Sequence, residues 1–128
     1  MYRIGVGYDS HRTIDGRTLI LGGEYIPFSA GLKGHSDGDC LLHAVCDAIL
    51  GALGEGDMGR HFPSRDPQWK GTPSVRFLER VAALMAEKGY AVGNLDATVI
   101  ATNPHIAVAL ADHPQLTVDV VEIGRAHV

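Results

Sequence analysis

The chain has 128 residues, of which 45% are hydrophobic, and its 11 basic and 15 acidic side chains give a formal charge of -4. This length and apolar content fit one globular domain and exclude a chain that is disordered throughout. An acidic balance without a basic block argues against a nucleic-acid or membrane-surface protein. No apolar run is long enough to cross a membrane, and we expect neither a signal peptide nor a transit peptide at the start.

The first half of the chain predicts a strand, a hairpin and a helix. Residues 2–8 alternate in polarity, which indicates a strand. Residues 18–21 and 25–27 flank a Gly-Gly pair, and this pattern is typical of a β-hairpin. After a glycine-rich loop, apolar residues recur every three or four positions over 39–53 and predict a helix.

A long loop and a second helix are predicted next. Residues 54–71 are dominated by Gly, Pro and charged side chains, as in binding segments and mobile flaps. Thr72 is a suitable helix cap, Pro73 fits the first helical position, and Gly89 is placed to end the helix.

The remaining pattern predicts strands over 95–101 and 116–121, with a turn at 103–104 between them. Strands and helices therefore mix within one domain. This places the chain in the α/β or α+β class.

The two cysteines, Cys40 and Cys46, are six residues apart in the first predicted helix. That spacing puts them too far apart to form a disulfide with each other. We interpret them as small buried hydrophobic residues rather than reactive thiols. Reduced thiols and the lack of a signal peptide suggest a cytoplasmic protein.

Three acid and imidazole side chains are candidates for a metal site. In an extended segment Asp9 and His11 project from the same face, and His43 lies on the first predicted helix. One carboxylate and two imidazoles are a common zinc set, and either Asp39 or Asp47 could orient the ring of His43. These residues could equally be surface or capping groups, and the pattern alone leaves both interpretations open.

Other residues suggest anion and hydroxyl recognition. Glycines surround the acid and histidine groups and could let backbone amides approach a phosphate, although they could be ordinary turn glycines. A Ser–His–Asp set with Ser10 or Ser36 is conceivable, but no nucleophile-elbow motif supports it. Carboxylates in 57–66 could bind a sugar or polyol, or could belong to a solvated loop.

Four segments then occur in a recognisable order: RIGVGYDSHR, LILGGEYIPF, GLKGHSDGDCLLHAVCDAILGALGEGDMGRHFPSRDPQWKG and GYAVGNLDATVIA. Together they resemble the family of 2-C-methyl-D-erythritol 2,4-cyclodiphosphate synthases. The resemblance covers Met1 to about Ile106, and the HSDGD segment with its following helix is its specific part.

The resemblance implies an α/β fold of the two-layer α+β kind, with one four-stranded mixed sheet and helices on one face. It also implies a homotrimer with the sheets facing inward and active sites between subunits. The implied enzyme is a phosphorus–oxygen lyase of bacterial cytoplasm. It converts 4-diphosphocytidyl-2-C-methyl-D-erythritol 2-phosphate to the 2,4-cyclodiphosphate and CMP in isoprenoid biosynthesis.

The resemblance also implies roles for individual residues. Asp9, His11 and His43 would bind one Zn²⁺ per subunit, a second divalent cation (Mg²⁺ or Mn²⁺) would bind with the diphosphate, and His35 would be catalytic. The implied substrate-binding residues are Asp9, Ser10, His11, His35, Ser36, Asp57, Met58, Gly59, Phe62, Pro63, Ser64, Arg65, Asp66, Ala101, Thr102, Asn103, Pro104, His105, Ile106 and Ala107.

The C-terminal part departs from the family pattern. A basic residue is expected after Pro104, where this chain has His105. The glycine-rich loop and last strand that hold a threonine and a glutamate do not follow. We therefore expect one incomplete domain over 1–121, inactive or insoluble as it stands. Residues 122–128 match the in-frame translation of a common sequencing adapter and are interpreted as a read-through tail.

Two other functions are compatible with the same residues. One is a hydrolytic zinc phosphoesterase built on the same Asp/His/His set, and the other is a non-enzymatic, metal-stabilised trimer that binds nucleotides. Product analysis separates them, because cyclisation releases CMP without consuming water.

Overall fold

The computed structural model describes residues 1–101 and the strand at 119–122. The strands are β1 (Thr13–Asp15), β2 (Leu19–Leu21), β3 (Glu24–Ile26), β4 (Ala30–Leu32), β5 (Thr98–Ala101) and β6 (Asp119–Glu122). The helices are α1 (Cys40–Leu53), α2 (Met58–His61) and α3 (Ser74–Glu87), and a 3₁₀ turn spans Pro67–Trp69.

These elements form an α+β fold, which confirms the predicted class. β1 pairs with β4 and β2 with β3, both antiparallel, and β5 pairs in parallel with β6. The described residues thus form three two-stranded sheets. The single four-stranded sheet stays a prediction.

The hairpin and both long helices lie where the sequence predicted them. β2 and β3 turn at Gly22 and Gly23, whose φ angles of 62° and 79° suit glycine. α1 begins after Asp39, whose side chain accepts a hydrogen bond from the backbone N–H of Leu42. α3 begins at Ser74 with Pro73 at the cap position, so the predicted cap at Thr72 and first helical residue at Pro73 are each one residue too early.

The prediction of a strand over residues 2–8 is wrong for this structure, because no described strand pairs with that segment. The segment lies against α1 instead. A Cβ on Gly5 would come within 1.9 Å of the Ala48 carbonyl oxygen, and one on Gly7 within 1.8 Å of the Ala44 carbonyl oxygen. The alternation therefore does separate two faces, but the glycines face the protein and the apolar side chains face outward.

The predicted long loop contains regular structure. Asp57 caps α2 by accepting from the Arg60 N–H, and Asp66 caps the 3₁₀ turn by accepting from the Gln68 N–H. Sequence patterns miss such short pieces because four residues show no periodicity. The segment packs on α3 through an aromatic cluster of Phe62, Trp69 and Phe77, with Phe62 and Phe77 ring centroids 4.6 Å apart.

Two apolar clusters hold α1 in place. Leu41 packs with the hairpin residues Leu19, Leu21 and Ile26. On the other side, Cys46 and Leu50 pack against Phe77 and Val81 of α3. Burial of this kind contributes roughly 1.5–3 kcal/mol per large apolar side chain. Both clusters fix the helix that carries His43.

The last strand, β6, overlaps the strand predicted over 116–121. It includes Glu122, the first residue of the segment interpreted as adapter-derived, and that interpretation stays a prediction. The turn predicted at 103–104 lies outside the described residues. Within the described part, no helix has the length and apolar character needed to cross a membrane.

Candidate metal site

Asp9, His11 and His43 converge at one point. Asp9 Oδ2 lies 2.7 Å from Nε2 of His11 and 3.2 Å from Nδ1 of His43. One ligand atom from each of the three residues lies within 4.8 Å of the others. The histidine side chains are 15% exposed and Asp9 is 25% exposed, so the cluster is half-buried but within reach of solvent.

Two neighbouring segments position Asp9 and His11. Residues 2–8 lead into Asp9 along α1, and the Cys40 thiol donates a 3.1 Å hydrogen bond to the Asp9 carbonyl. His11 Nδ1 lies 2.6 Å from the Lys33 carbonyl oxygen. A carbonyl oxygen only accepts, so Nδ1 carries the hydrogen and Nε2 is left to face Asp9. The Lys33 N–H in turn donates to the Arg12 carbonyl, which ties the two segments together.

His43 is oriented by serines and not by the predicted aspartates. Its Nε2 lies 2.8 Å from Oγ of Ser74 and 3.2 Å from Oγ of Ser36. The alternative that Asp39 or Asp47 holds this ring is wrong. Asp39 accepts from the N–H groups of residues 22, 23 and 42, and Asp47 accepts from the N–H of residue 58.

Charge supports a cation at this point. Burial by itself raises the pKa of Asp9. Hydrogen bonds from His43 and His11, and the positive charge that these rings carry when protonated, outweigh burial and lower the pKa below its ordinary value. With the other ring nitrogens bonded elsewhere, Nε2 of His11 and Nδ1 of His43 are the nitrogens that face the carboxylate, and a bound ion would take the place of the hydrogens between them. Three electron-rich atoms around one point fit a divalent metal ion.

The loop that carries His35 and Ser36 is held by its backbone. Arg17 donates a 2.9 Å hydrogen bond to the Gly34 carbonyl and a second, short one to the Ser36 carbonyl. The Gly71 N–H donates to the His35 carbonyl at 2.8 Å. Within the described part of the chain, the buried Nε2 of His35 has no hydrogen-bond partner. This loop therefore presents an uncommitted imidazole nitrogen from a fixed backbone.

The other expected substrate residues do not form one cluster with these three. Asp57 and Asp66 use their carboxylates as helix caps, and Phe62 packs in the aromatic cluster. Ala101 ends β5, while residues 102–107 lie outside the described part of the chain. Ser10 is exposed, next to two members of the metal cluster.

The cysteines agree with the prediction in part, because Cys46 is buried whereas Cys40 is half-buried. Both are free. Burial, with smaller effects of nearby carboxylates, raises the pKa of Cys40 to about 11 and that of Cys46 to about 12. Neither thiol is positioned as a nucleophile at neutral pH.

Sequence reasoning gave no role to Arg17, Asp37 or Ser74, although Asp37 lies within the HSDGD segment. Ser74 is fully buried and donates both its hydroxyl and its backbone N–H to the carboxylate of Asp37. The only signal in the sequence was a serine at the start of a predicted helix, which suggests capping. Contacts between residues so far apart in the chain have no local pattern.

Fold and site together define an α+β protein with a carboxylate–imidazole cluster that fits a divalent metal ion. More particularly, the chain belongs to the YgbB family, whose family model matches residues 2–128.

Similar proteins agree with this membership. The chain is 61% identical over 105 residues to the 2-C-methyl-D-erythritol 2,4-cyclodiphosphate synthase of Pelobacter propionicus, which covers 82% of this chain and 66% of that protein. It thus spans about two thirds of the length of this curated relative. A solved structure of such a synthase superposes with a TM-score of 0.77 at 37% identity, over 92% of this chain and 85% of the other. A CDP-bound form gives a TM-score of 0.76 at 36% identity, with the same two coverages.

Proposed function

We propose that this chain carries out the cyclodiphosphate synthase reaction of isoprenoid biosynthesis. The substrate would be 4-diphosphocytidyl-2-C-methyl-D-erythritol 2-phosphate, and the products 2-C-methyl-D-erythritol 2,4-cyclodiphosphate and CMP. The observation that carries the proposal is the convergence of Asp9, His11 and His43 in a member of the YgbB family. The CDP-bound relative supports a cytidine nucleotide as ligand.

The reaction is an intramolecular phosphoryl transfer. An oxygen of the 2-phosphate forms a bond to the β-phosphorus, and the bond from that phosphorus to the oxygen bridging to the α-phosphorus breaks. CMP leaves with that oxygen, no water is consumed, and the enzyme is a phosphorus–oxygen lyase. No protein nucleophile is required, which agrees with two thiols that stay protonated. Catalysis then depends on bringing the two ends of a flexible, charged substrate together.

Asp9, His11 and His43 would hold one Zn²⁺ per subunit and leave a position for a phosphate oxygen. When bound, this ion and a second divalent cation, Mg²⁺ or Mn²⁺, would offset the charge of the diphosphate and polarise it. Positive charge from these ions would help a chain of formal charge -4 to bind such an anion.

His35 is the proposed catalytic side chain. Its buried Nε2, which has no hydrogen-bond partner among the described residues, is available to a phosphate oxygen on which charge develops during transfer. The hydrogen bonds from Arg17 and Gly71 limit movement of the loop backbone. Ser10 and Ser36, next to the metal cluster and His35, would contact the same phosphates.

The methylerythritol and cytidine ends would be bound by two further segments. Residues 57–59 and 62–66 would close over the sugar and the methylerythritol phosphate, and residues 101–107 would contact the cytosine. The caps at Asp57 and Asp66 give the first segment a defined backbone while exposing its polar groups.

We further propose a homotrimer with sheets facing inward, in which the separate strands become parts of a four-stranded sheet. The outer face of residues 2–8 supports assembly, because Tyr2, Ile4 and Val6 are 89–101% exposed. Single exposed apolar residues are ordinary, but a contiguous stripe marks an interaction surface. Such an enzyme would act in the bacterial cytoplasm without nucleic-acid or membrane partners.

The test is CMP release from the diphosphocytidyl substrate, measured by chromatography with ³¹P NMR of the cyclic product. It is run with Zn²⁺ and Mg²⁺ on the 128-residue chain and on a version extended at its C-terminal end with the segment of the Pelobacter relative. We expect cyclic diphosphate from the extended version, whereas the 128-residue chain is expected to be inactive. His43→Ala should abolish the cyclic product, whereas the matched control His61→Gln, in α2, should not.

Absence of cyclic product from both versions, with zinc bound, would contradict the proposal. A linear, hydrolysed product in ¹⁸O-labelled water would favour a zinc phosphoesterase instead. Zinc and CMP binding without turnover would favour a nucleotide-binding module.

A further inference from the structure

We propose that Ser74 and Asp37 are positioning residues for the metal site, which fix the ring of His43 in the one tautomer that can bind a metal through Nδ1. The inference rests on the metal site proposed above. Neither residue belongs to the cluster formed by Asp9, His11 and His43. Ser74 contacts the cluster through His43, and Asp37 acts through Ser74.

The direction of the hydrogen bonds follows from Asp37. Its carboxylate accepts the Ser74 hydroxyl through Oδ1 and the Ser74 backbone N–H through Oδ2, the latter at 3.0 Å. A carboxylate has no hydrogen to donate, so the hydroxyl hydrogen of Ser74 points to Asp37. The Ser74 oxygen is then left as an acceptor.

That acceptor faces His43. Nε2 of His43 lies 2.8 Å from the Ser74 oxygen, so Nε2 carries a ring hydrogen that this oxygen accepts. Nδ1 lies farther from its own acceptor, 3.2 Å from Oδ2 of Asp9, so Nδ1 is the nitrogen that gives up its hydrogen and offers a lone pair to a metal ion. The other tautomer would place a lone pair against the Ser74 oxygen and a hydrogen where the ion belongs.

Burial gives this chain of hydrogen bonds its strength. Ser74 has no exposed surface, and Ser36 is also buried, so no water competes for either hydroxyl from bulk solvent. Ser36 is the weaker partner, because it lies 3.2 Å from Nε2 and already accepts from the Gly38 N–H. Ser74 connects the start of α3 to the first turn of α1, so the metal site depends on the packing of the two helices.

The ring of His11 is oriented in the same way, by a different hydrogen-bond acceptor. Its Nδ1 hydrogen goes to the Lys33 carbonyl, so Nε2, which lies 2.7 Å from Oδ2 of Asp9, is the nitrogen left to an ion beside that carboxylate. The two ligands thus use opposite ring nitrogens, each set by an acceptor outside the cluster. Partners of this kind typically change metal affinity 10–100-fold.

The first measurement is the tautomer of each histidine in the metal-free, ¹⁵N-labelled 128-residue chain, read by long-range ¹H–¹⁵N correlation at a pH where the rings are neutral. We expect His43 to carry its hydrogen on Nε2 and His11 on Nδ1. An Nδ1 hydrogen on His43 in the wild-type chain overturns the proposal before any variant is made.

The second measurement is Zn²⁺ affinity by competition with a chelating dye. Ser74→Ala should weaken binding by about 10–100-fold and mix the His43 tautomers, while leaving His11 unchanged. Ser74→Thr, which keeps the hydroxyl, should restore most of both. Ser36→Ala is the matched control and should have the smaller effect.

Asp37→Asn covers the case in which Ser74→Ala does not fold. It keeps the Ser74 hydroxyl but replaces an acceptor by a donor, so the His43 tautomer should again become mixed. Unchanged tautomer and unchanged affinity in the folded variants would overturn the proposal. Failure of the wild-type chain to bind Zn²⁺ would instead contradict the metal site, and would leave the tautomer result readable.

Discussion

Asp39 has no exposed surface and anchors two elements at once. Its Oδ1 accepts from the N–H groups of Leu42 and Gly22, both at 3.0 Å, and its Oδ2 accepts from the Gly23 N–H at 2.7 Å. One carboxylate therefore caps α1 and fixes the turn of the β2–β3 hairpin. Burial raises the pKa of this group despite the three hydrogen bonds. Part of the free energy that these bonds contribute to stability therefore offsets the cost of removing the carboxylate charge from water.

Asp39→Ala should cost about 3 kcal/mol of unfolding free energy. Loss of the cap contributes about 1 kcal/mol. Each of the two turn N–H groups that loses its partner adds about 1 kcal/mol, at the low end for such groups because the turn is partly exposed. Asp39→Asn keeps one oxygen in the place of Oδ1 and loses the bond to Gly23, so it should cost about 1–1.5 kcal/mol.

The assay is urea unfolding followed by circular dichroism at two protein concentrations, because assembly would make stability depend on concentration. Asp57→Ala is the matched control, since Asp57 is an exposed cap of a four-residue helix and accepts one bond. It should cost less than about 1 kcal/mol. If Asp39→Ala costs no more than Asp57→Ala, the double anchoring argued from the hydrogen bonds is wrong.

Two further predictions concern close packing and the thiols. Gly7→Ala should destabilise the chain by more than about 2 kcal/mol and weaken Zn²⁺ binding, since its Cβ would lie 1.8 Å from the Ala44 carbonyl oxygen. Gly51→Ala, with open space around its Cβ, should gain up to about 1 kcal/mol in the same urea assay, and an equal loss at both sites would refute the argument. Cys40 and Cys46 should resist a thiol reagent at pH 8 until urea unfolds the chain. Because their folded pKa values are raised above the ordinary 9.0, stability should fall as pH rises past about 9, and rapid native labelling would contradict this.

The helices were predictable because their signals are local. Apolar spacing over 39–53 and the Pro73 start place α1 and α3 within a residue or two of the observed bounds. The β2–β3 hairpin was equally visible, because its Gly-Gly turn lies between two apolar runs. Pairing of β1 with β4 was missed, since strands of three residues carry too little alternation to be recognised.

The candidate metal site also combines features that have a local sequence signal with features that have none. Asp9 and His11 were predictable as a pair because an extended Asp-x-His segment puts both side chains on one face. The pattern alone left open whether they and His43 bind a metal or are surface and capping groups, and the family resemblance implied the metal site. Which group would orient His43 was not predictable. Helical spacing favoured Asp39 or Asp47, but tertiary packing brings Ser74 to the ring from α3. Asp39 does not orient His43, because its two oxygens already accept hydrogen bonds from three backbone N–H groups.

The aromatic cluster offers an optical consequence. Trp69 is the only tryptophan in the sequence, and it packs edge-on against Phe62 and Phe77 with the Arg80 guanidinium 5.5 Å from its ring. Its emission therefore reports on one contact, that between the 62–69 segment and α3. A ligand that moves this segment would change the colour and quenching of that emission while the far-ultraviolet spectrum of the helices stays constant. The chain thus contains its own fluorophore at the segment proposed to close over the sugar.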